Sequence, residues 1–140
     1  MILYCTLSSA INCLASLALA LAVFLRRPRS ETSLTFGWFA VSVTLWSMAY
    51  VLWQLATDAA GALFYSQLLT AAAIVVPVAY FHCVLCLLGR QRGLLVGLSY
   101  AGALTFSVLA FTPLLIKGIE PKPPFPFWPK PGLLYAPPLR

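Results

Sequence analysis

The sequence predicts an all-α integral membrane protein, a four-transmembrane-helix antiparallel bundle followed by a proline-rich loop. Of its 140 residues, 61% are hydrophobic and only 9% are charged, whereas soluble domains carry roughly 25% charged residues. Four long segments contain no Lys, Arg, Asp or Glu, and each exceeds the ~20 helical residues that cross a hydrocarbon core about 30 Å thick. The apolar runs are continuous rather than alternating, which favours helices over the strands of a closed barrel.

The chain divides into a membrane domain at residues 1–116 and a proline- and aromatic-rich loop or tail at residues 117–140. The predicted spans lie at about 2–25, 34–56, 62–88 and 94–116. Eight of the eleven prolines follow residue 120, and the five between Pro123 and Pro131 favour extended polyproline II geometry. The aromatic side chains among them are expected to rest on the outer membrane surface or to cap the bundle, namely Phe125, Phe127 and Trp128.

The three short connections between spans differ in charge, and this predicts the orientation of the chain. The middle connection, TDAAG, carries only Asp58, while the first and third together carry Arg26, Arg27, Arg29, Arg90 and Arg92. Because short cytoplasmic loops are enriched in arginine and lysine, the first and third connections are predicted to be cytoplasmic. The N-terminus and the C-terminal tail are then extracytoplasmic, in the inner (plasma) membrane, although the three lysines of the tail run against this rule.

The second span carries a stripe that is a candidate ligand-binding face. Ser42, Trp46, Tyr50, Trp53 and Thr57 recur at steps of four or three, which places them on one side of a helix. Such a stripe lines a pocket for an apolar or aromatic ligand, or it serves as packing and an interfacial aromatic belt. The candidate ligand-facing residues are Trp46, Tyr50 and Trp53, with Gln54, Tyr65 and Gln67 near the outer mouth of the bundle.

The stretch YFHCVLC near the end of the third span has the most chemically versatile side chains. His82 and Cys86 are four residues apart and Cys83 is three from Cys86, so the three side chains can approach one helix face. A zinc site needs about four ligands, and this chain has one histidine and no acidic residue nearby. We interpret the three side chains as packing groups, and we predict no metal, no cofactor and no structural disulfide.

Small residues mark the fourth span and a proline interrupts the third. Gly93, Gly97 and Ala101 recur every four residues, a ridge that lets another helix approach closely, either within the same bundle or across a homodimer. Pro77 lies inside the third span, where it removes a backbone donor and predicts a kink near residues 73–77.

The net charge of +6 would suggest nucleic-acid binding in a soluble protein. Here the basic residues flank apolar spans, where they orient the chain and meet anionic lipid headgroups. The predicted partners are the lipid bilayer, a second copy of the chain in a homodimer, and an unidentified ligand, with no nucleic acid. The sequence has no soluble catalytic motif, so no enzymatic activity is predicted.

Three stretches together resemble a known family. An arginine-rich loop leads into TFGWFAVSVTLWSMAYVLWQLA, which is followed by VVPVAYFHCVLCLLGRQR and by LSYAGALTFSVLAFTPLLIKGIEP. They resemble the N-terminal seven-transmembrane region of bacterial membrane-bound sensor histidine kinases, in which LW and a tyrosine mark the second span and a proline followed by aromatics marks the third. The resemblance covers residues 3–135 and implies an outer loop ending in a PG–LY pattern, here Pro131, Gly132, Leu134 and Tyr135.

The resemblance implies a sensory input region of a two-component system. The sequence contains four of the seven spans and no phosphoacceptor or ATP-binding domain, so we expect a fragment whose partner is a downstream signalling domain; His82 lies in a span and is not the phosphoacceptor. One alternative is a small structural or assembly subunit that packs on a larger membrane complex through Gly93 and Gly97. A less favoured alternative, half of a transporter, lacks intramembrane charge and an inverted repeat.

Overall fold

The computed structural model describes residues 2–27, 30–90 and 93–134, which form four helices followed by one β-hairpin. The elements are α1 (Ile2–Leu25), α2 (Glu31–Gln54), α3 (Ala59–Leu87), α4 (Gly93–Ala110), β1 (Ile116–Lys122) and β2 (Phe125–Pro131). All four helices are long and apolar enough to cross a membrane. The predicted four-span helical membrane bundle is therefore confirmed, with a small two-stranded sheet added to it.

Helices α2 and α3 each begin three residues before the predicted spans because polar side chains cap them. The Ser30 hydroxyl accepts a hydrogen bond from the backbone N–H of Ser33 at 3.1 Å. A carboxylate oxygen of Asp58 likewise accepts from the N–H of Gly61 at 2.8 Å. Such caps provide acceptors for backbone N–H groups that have no partner in the first helical turn. Each helix therefore begins directly after its capping residue and not at its first apolar residue.

Helix α4 ends at Ala110, six residues before the predicted limit of the fourth span at residue 116. Pro113 explains the difference, since a proline disfavours helical geometry in the residue before it and cannot donate to the preceding turn. The backbone N–H and the hydroxyl of Thr112 both bond the carbonyl oxygen of Leu109, at 2.9 and 2.6 Å, and so close the helix end. Helix α3, in contrast, continues through Pro77; the kink there stays a prediction.

Helix α2 packs against α1 on one side and α3 on the other, and α3 packs against α4. The residues buried between helices are mostly small: Ser16, Ala20, Ala40, Ser47, Ala49, Ala62, Ser66, Ala79 and Ala103. Large side chains such as Leu14, Leu21, Leu98 and Leu104 point outward and are exposed. Small residues at the contacts and leucines outside are the arrangement expected for helices whose solvent is lipid.

Among the described residues, three hydrogen bonds between side chains join α1 to α2 along their length, and we call this contact the α1–α2 seam. Its donors and acceptors are Thr6 with Gln54 at 2.9 Å, Asn12 with Ser47 at 2.7 Å, and Thr44 with Ser16 at 3.0 Å. The Cys13 thiol also donates to the Thr44 carbonyl oxygen at 3.7 Å. Polar side chains between membrane helices find few alternative partners in lipid, so these bonds fix the register of the two helices.

The proline-rich segment forms an antiparallel hairpin, and the expectation of polyproline II geometry was wrong. Strand β2 pairs with β1 in a register that sets Glu120 opposite Trp128 and Gly118 opposite Lys130. A proline lacks the donor for a ladder hydrogen bond but adopts a φ compatible with a strand at a sheet edge. In a two-stranded ribbon both strands are edges, so the prolines of β2 are tolerated there.

The hairpin returns to the loop that follows α4. The N–H of Gly132 bonds the Leu115 carbonyl at 2.8 Å, and the N–H of Leu134 bonds the Leu114 carbonyl at 3.1 Å. A Cβ atom at Gly132 would overlap the backbone oxygen of Leu114, so only glycine allows this approach. The predicted PG–LY pattern thus contains the hairpin's attachment point, while Tyr135 lies outside the described residues.

Candidate functional site

A chain of ring contacts runs along α2 and onto the hairpin, and we call these five rings the aromatic array. The centroids of Trp46 and Tyr50 are 6.2 Å apart, and those of Tyr50 and Trp53 are 5.6 Å apart. Trp53 stacks on Phe125 at 5.6 Å and meets Trp128 edge-on at 5.9 Å. The helical spacing read from the sequence brings the three α2 residues together, and tertiary structure adds the two hairpin residues.

Trp53 is the residue through which the hairpin attaches to the bundle. It is only 6% exposed, and its indole N–H donates a hydrogen bond to the backbone carbonyl oxygen of Phe127 at 3.1 Å. A tryptophan offers both a large apolar surface and one polar donor, and both are used here. The prediction that tail aromatics cap the bundle is confirmed for Phe125 and Trp128.

Two charged contacts hold the hairpin in its own shape. The Lys122 ammonium lies 5.4 Å from the centre of the Trp128 ring, a distance suited to a cation–π contact. Lys130 forms an ion pair with Glu120 across the two strands at 3.5 Å. Two of the three tail lysines, Lys122 and Lys130, therefore make contacts within the hairpin.

Gln54 lies beneath the hairpin, and only part of the hydrogen-bonding capacity of its side-chain amide is used. Its side-chain oxygen accepts from Thr6, whereas its Nε2 atom is buried with no hydrogen-bond partner among the described residues. Gln54 and Trp53 border a cavity of about 40 Å³ that Ile2, Phe125 and Phe127 close. A cavity of this size accommodates only water-sized molecules, so a larger ligand needs the hairpin to move.

The remaining candidate ligand residues lie apart from this cavity. Tyr65 is on α3 and meets the ring of its neighbour Phe64 edge-on at 5.7 Å. Gln67 is half-buried, two residues further along α3. None of the described ring contacts joins Tyr65 to the aromatic array. Ser42, the first residue of the predicted stripe, borders two other cavities, which residues of α2, α3 and α4 line.

His82 of α3 contacts Tyr100 of α4. Its Nδ1 atom is 3.3 Å from the Tyr100 hydroxyl, and the two rings meet edge-on at 5.7 Å. Cys83 is buried and Cys86 is half-buried, both as free thiols. Within the described ranges, no three His, Cys, Asp or Glu side chains are close enough to hold a metal ion. The His82–Tyr100 contact joins α3 to α4.

An open groove between α2 and α4, with α3 as its floor, was not foreseen from the sequence. Three adjoining cavities of about 430, 450 and 330 Å³ form it, and we call them together the α2/α4 groove. The first contains Arg90 and Glu31 at the arginine-bearing end of the bundle, the second contains His82 and Tyr100, and the third reaches Ser107. Sequence periodicity cannot reveal this groove because its walls are α2 and α4, which α3 separates in sequence and which each pack against α3.

The predicted glycine ridge on α4 is uncovered in the described part of the chain. A Cβ atom added at Gly93 or Gly97 would meet nothing within 4 Å, and Ala101 is exposed. Gly93 also borders the first cavity of the α2/α4 groove. Packing of the ridge within these four helices is therefore not observed.

Comparison with known proteins identifies the family. A family model described as the N-terminal 7TM region of histidine kinase matches residues 8–135. No curated protein and no solved structure shows significant similarity to the chain. The match includes α1 from residue 8 onward, the other three helices and the hairpin, and it agrees with the resemblance read from the sequence. The chain therefore belongs to the family of N-terminal seven-transmembrane regions of histidine kinases, a sensory and not a catalytic region.

Proposed function

We propose that this sensory region receives its signal at the hairpin end of the bundle and transmits it through α2. The observation that carries the proposal is the contact of Trp53 with the hairpin, in which one buried side chain supplies a hydrogen bond and two ring contacts. A molecule that shifts the hairpin must break or rearrange these contacts. The Trp53 ring contacts the Tyr50 ring, which in turn contacts the Trp46 ring. A change at Trp53 therefore reaches the middle of the membrane along one face of α2.

We propose that the ligand is apolar or aromatic and contacts Trp46 and Tyr50. Trp46 is 37% exposed and Tyr50 is half-buried, so both have ring surface free for a ligand. Trp53 and Gln54 become available only when the hairpin moves, because their shared cavity is water-sized. Tyr65 and Gln67 on α3 would meet a ligand that extends across the outer mouth of the bundle.

In the proposed orientation the protein lies in the inner membrane, with the hairpin on the extracytoplasmic side and the arginine-bearing turns on the cytoplasmic side. Supporting it are Arg26, Arg27 and Arg90 at one end of the bundle, where only Glu31 opposes them, and Asp58 at the other. A reporter enzyme fused after Arg92 tests the proposal: cytoplasmic reporter activity is expected, and periplasmic activity would refute it.

Hydrogen exchange measured on the purified chain in lipid nanodiscs tests the hairpin contact. Replacing Trp53 by Phe keeps an apolar ring and removes the N–H donor. A buried hydrogen bond contributes about 1 kcal/mol, so exchange of the amides in β1 and β2 is expected to become about fivefold faster. Trp46→Phe is the matched control, because the described ring contacts join Trp46 to Tyr50 and to no hairpin residue. Equal exchange in both variants would show that Trp53 does not hold the hairpin.

Transmission is tested in a chimaera in which residues 2–134 replace the corresponding part of a family histidine kinase. Tyr50→Ala and Trp53→Ala are expected to change autophosphorylation by severalfold, while Leu14→Ala, on the exposed face of α1, leaves it unchanged. If Trp46→Ala and Tyr50→Ala left both the basal and the signal-dependent output unchanged, the ligand face on α2 would be wrong.

A second candidate function is an assembly subunit, favoured by the uncovered ridge at Gly93 and Gly97. In membranes such a ridge permits close approach of a partner helix. Co-purification of a stoichiometric membrane partner with the wild-type chain, and its loss with Gly97→Leu, would support this function in place of signal input.

A further inference from the structure

We propose that one water molecule binds in the small cavity between α2 and the hairpin and links the Gln54 side chain to the hairpin backbone. The inference concerns the attachment of the hairpin itself, so it holds whether or not a sensory ligand acts there. The cavity measures about 40 Å³, and its walls are formed by Ile2, Trp53, Gln54, Phe125, Pro126 and Phe127.

The Gln54 amide leaves one polar atom without a partner in either of its two orientations. The Thr6 hydroxyl oxygen lies 3.0 Å from the Ile2 carbonyl oxygen and 2.9 Å from the Gln54 side-chain oxygen, but a hydroxyl group has only one proton to donate. If that proton bonds Gln54, the remaining end of the amide is Nε2, which is buried with no hydrogen-bond partner among the described residues.

The alternative orientation leads to the same requirement. If the Thr6 proton bonds the Ile2 carbonyl, the Gln54 amide is reversed and its nitrogen donates to the Thr6 oxygen. The Gln54 oxygen then takes the buried position that lacks a partner. One end of the amide thus bonds Thr6, and the other end needs a partner that the described side chains do not supply.

Water is the ligand that suits both orientations, because it donates and accepts hydrogen bonds. A buried polar group without a partner is costly, and buried water molecules typically bond such groups. One water molecule fills about 30 Å³ in the liquid, so a cavity of about 40 Å³ holds one and not two. An ion is disfavoured, because none of the described residues that line the cavity is charged.

The hairpin wall of the cavity supplies the second partner of the water. Pro126 has no N–H, so this part of the wall offers acceptors more than donors. The Phe127 carbonyl oxygen accepts the indole N–H of Trp53 at 3.1 Å, and a carbonyl oxygen can accept a second hydrogen bond. A water that bonds Gln54 and this wall therefore joins α2 to β2 beside the direct bond from Trp53.

NMR spectroscopy of the isotope-labelled chain in lipid nanodiscs tests the site directly. Cross-relaxation between the Gln54 side-chain amide protons and water should have opposite signs in the laboratory and rotating frames, as for a long-lived bound water. The Gln54 signals are identified by their loss in Gln54→Met. The Asn12 amide, which bonds Ser47 near the middle of α1, is the control and should show no contact with water.

A pair of phenylalanine variants locates the water. Ile2→Phe enlarges a side chain that borders the cavity, whereas Leu3→Phe makes a similar change at the next residue, which is 72% exposed. Circular dichroism would check that both variants fold. The water signal at Gln54 should be lost in Ile2→Phe and kept in Leu3→Phe.

Hydrogen exchange of the β2 amides in Gln54→Met tests whether the water holds the hairpin. Methionine has a similar length and no amide, and Thr6 keeps the Ile2 carbonyl as its acceptor. Loss of a bridging water should make this exchange about fivefold faster. Gln67→Met, on α3 and outside the cavity, is the matched control and should leave the exchange unchanged.

Three results would overturn the proposal. Cross-relaxation of equal sign in the two frames at Gln54 would show mobile solvent and no bound molecule. A water signal that persists in Ile2→Phe would show that the water lies outside the cavity. Unchanged or slower exchange in Gln54→Met would show that no water links Gln54 to the hairpin, since removal of an unpaired buried amide is stabilising.

Discussion

Helix α2 meets α1 along a closed polar seam, whereas it faces α4 across an open apolar groove. In the α1–α2 seam the side chains of Asn12 and Ser47 bond each other across the two helices. In the α2/α4 groove the hydroxyl of Ser42 bonds its own helix instead. The same residue type thus bonds across the helices in the seam and within its own helix in the groove.

The difference shows how a membrane helix separates a fixed contact from an adaptable one. Lipid tails are as apolar as leucine, so apolar surface alone does not hold two membrane helices together. The α1–α2 seam gains specificity from its three hydrogen bonds, and α1 and α2 should therefore move as one body. The placement of α4 rests instead on its contact with α3, which includes the His82–Tyr100 pair and a hydrogen bond from the Ser107 hydroxyl to the Ala71 carbonyl oxygen.

The largest expected effect comes from overfilling the α1–α2 seam. A Cβ atom at Gly37 would lie 2.8 Å from the Phe24 ring, so Gly37→Leu requires the Phe24 ring or the helix backbone to shift. Overpacking of this kind costs about 1–3 kcal/mol. The free energy of unfolding, measured by steric trapping in bicelles, should fall by this amount, while Gly97→Leu should lower it by less than about 0.5 kcal/mol. Similar losses in both variants would remove the distinction between the two faces.

An intermediate effect is expected for the polar pair at the centre of the seam. A double-mutant cycle with Asn12→Ala and Ser47→Ala should give a coupling of about 0.6 kcal/mol and at most about 1.7 kcal/mol. Ser99, whose hydroxyl donates to the Leu95 carbonyl of its own helix, supplies the control: a cycle between Asn12→Ala and Ser99→Ala should give no coupling. A coupling near zero for the first cycle would mean that the bond does not determine the register.

The smallest effect is expected on the wall of the groove. Leu45 is 50% exposed and borders two of its cavities. Leu45→Ala should change the free energy of unfolding by less than about 0.5 kcal/mol in lipid, because lipid fills the space the side chain leaves. A loss above about 2 kcal/mol, typical of a buried leucine, would show that the groove is a packed core.

The position of the membrane helices was predictable because it depends on local composition. Uninterrupted apolar runs located every helix end except the end of α4 to within about three residues, and the larger differences have local causes. Ser30 and Asp58 act as caps and start two helices early, and Pro113 accounts for the early end of α4. The aromatic spacing on α2 was predictable for the same reason, since residues four and three apart meet on any helix.

The hairpin was not predictable from composition, because prolines and aromatics occur both in extended loops and at sheet edges. Nothing local indicates that β2 finds its partner in β1, nor that the indole of Trp53 finds the carbonyl of Phe127, 74 residues further on. The reason for the glycine in the PG–LY pattern becomes clear only from the structure, in which a Cβ atom at Gly132 would overlap the Leu114 backbone.

By itself, the sequence determined that the chain lies in a membrane, where its four helices run and which aromatic residues of α2 share a face, since hydropathy and helical periodicity are local properties. Tertiary structure alone decided that Trp53 holds a hairpin, that Asn12 bonds Ser47, and that a groove remains open between α2 and α4. These features depend on the pairing of distant segments, and in lipid that pairing follows from shape and a few hydrogen bonds, which no short stretch of sequence encodes.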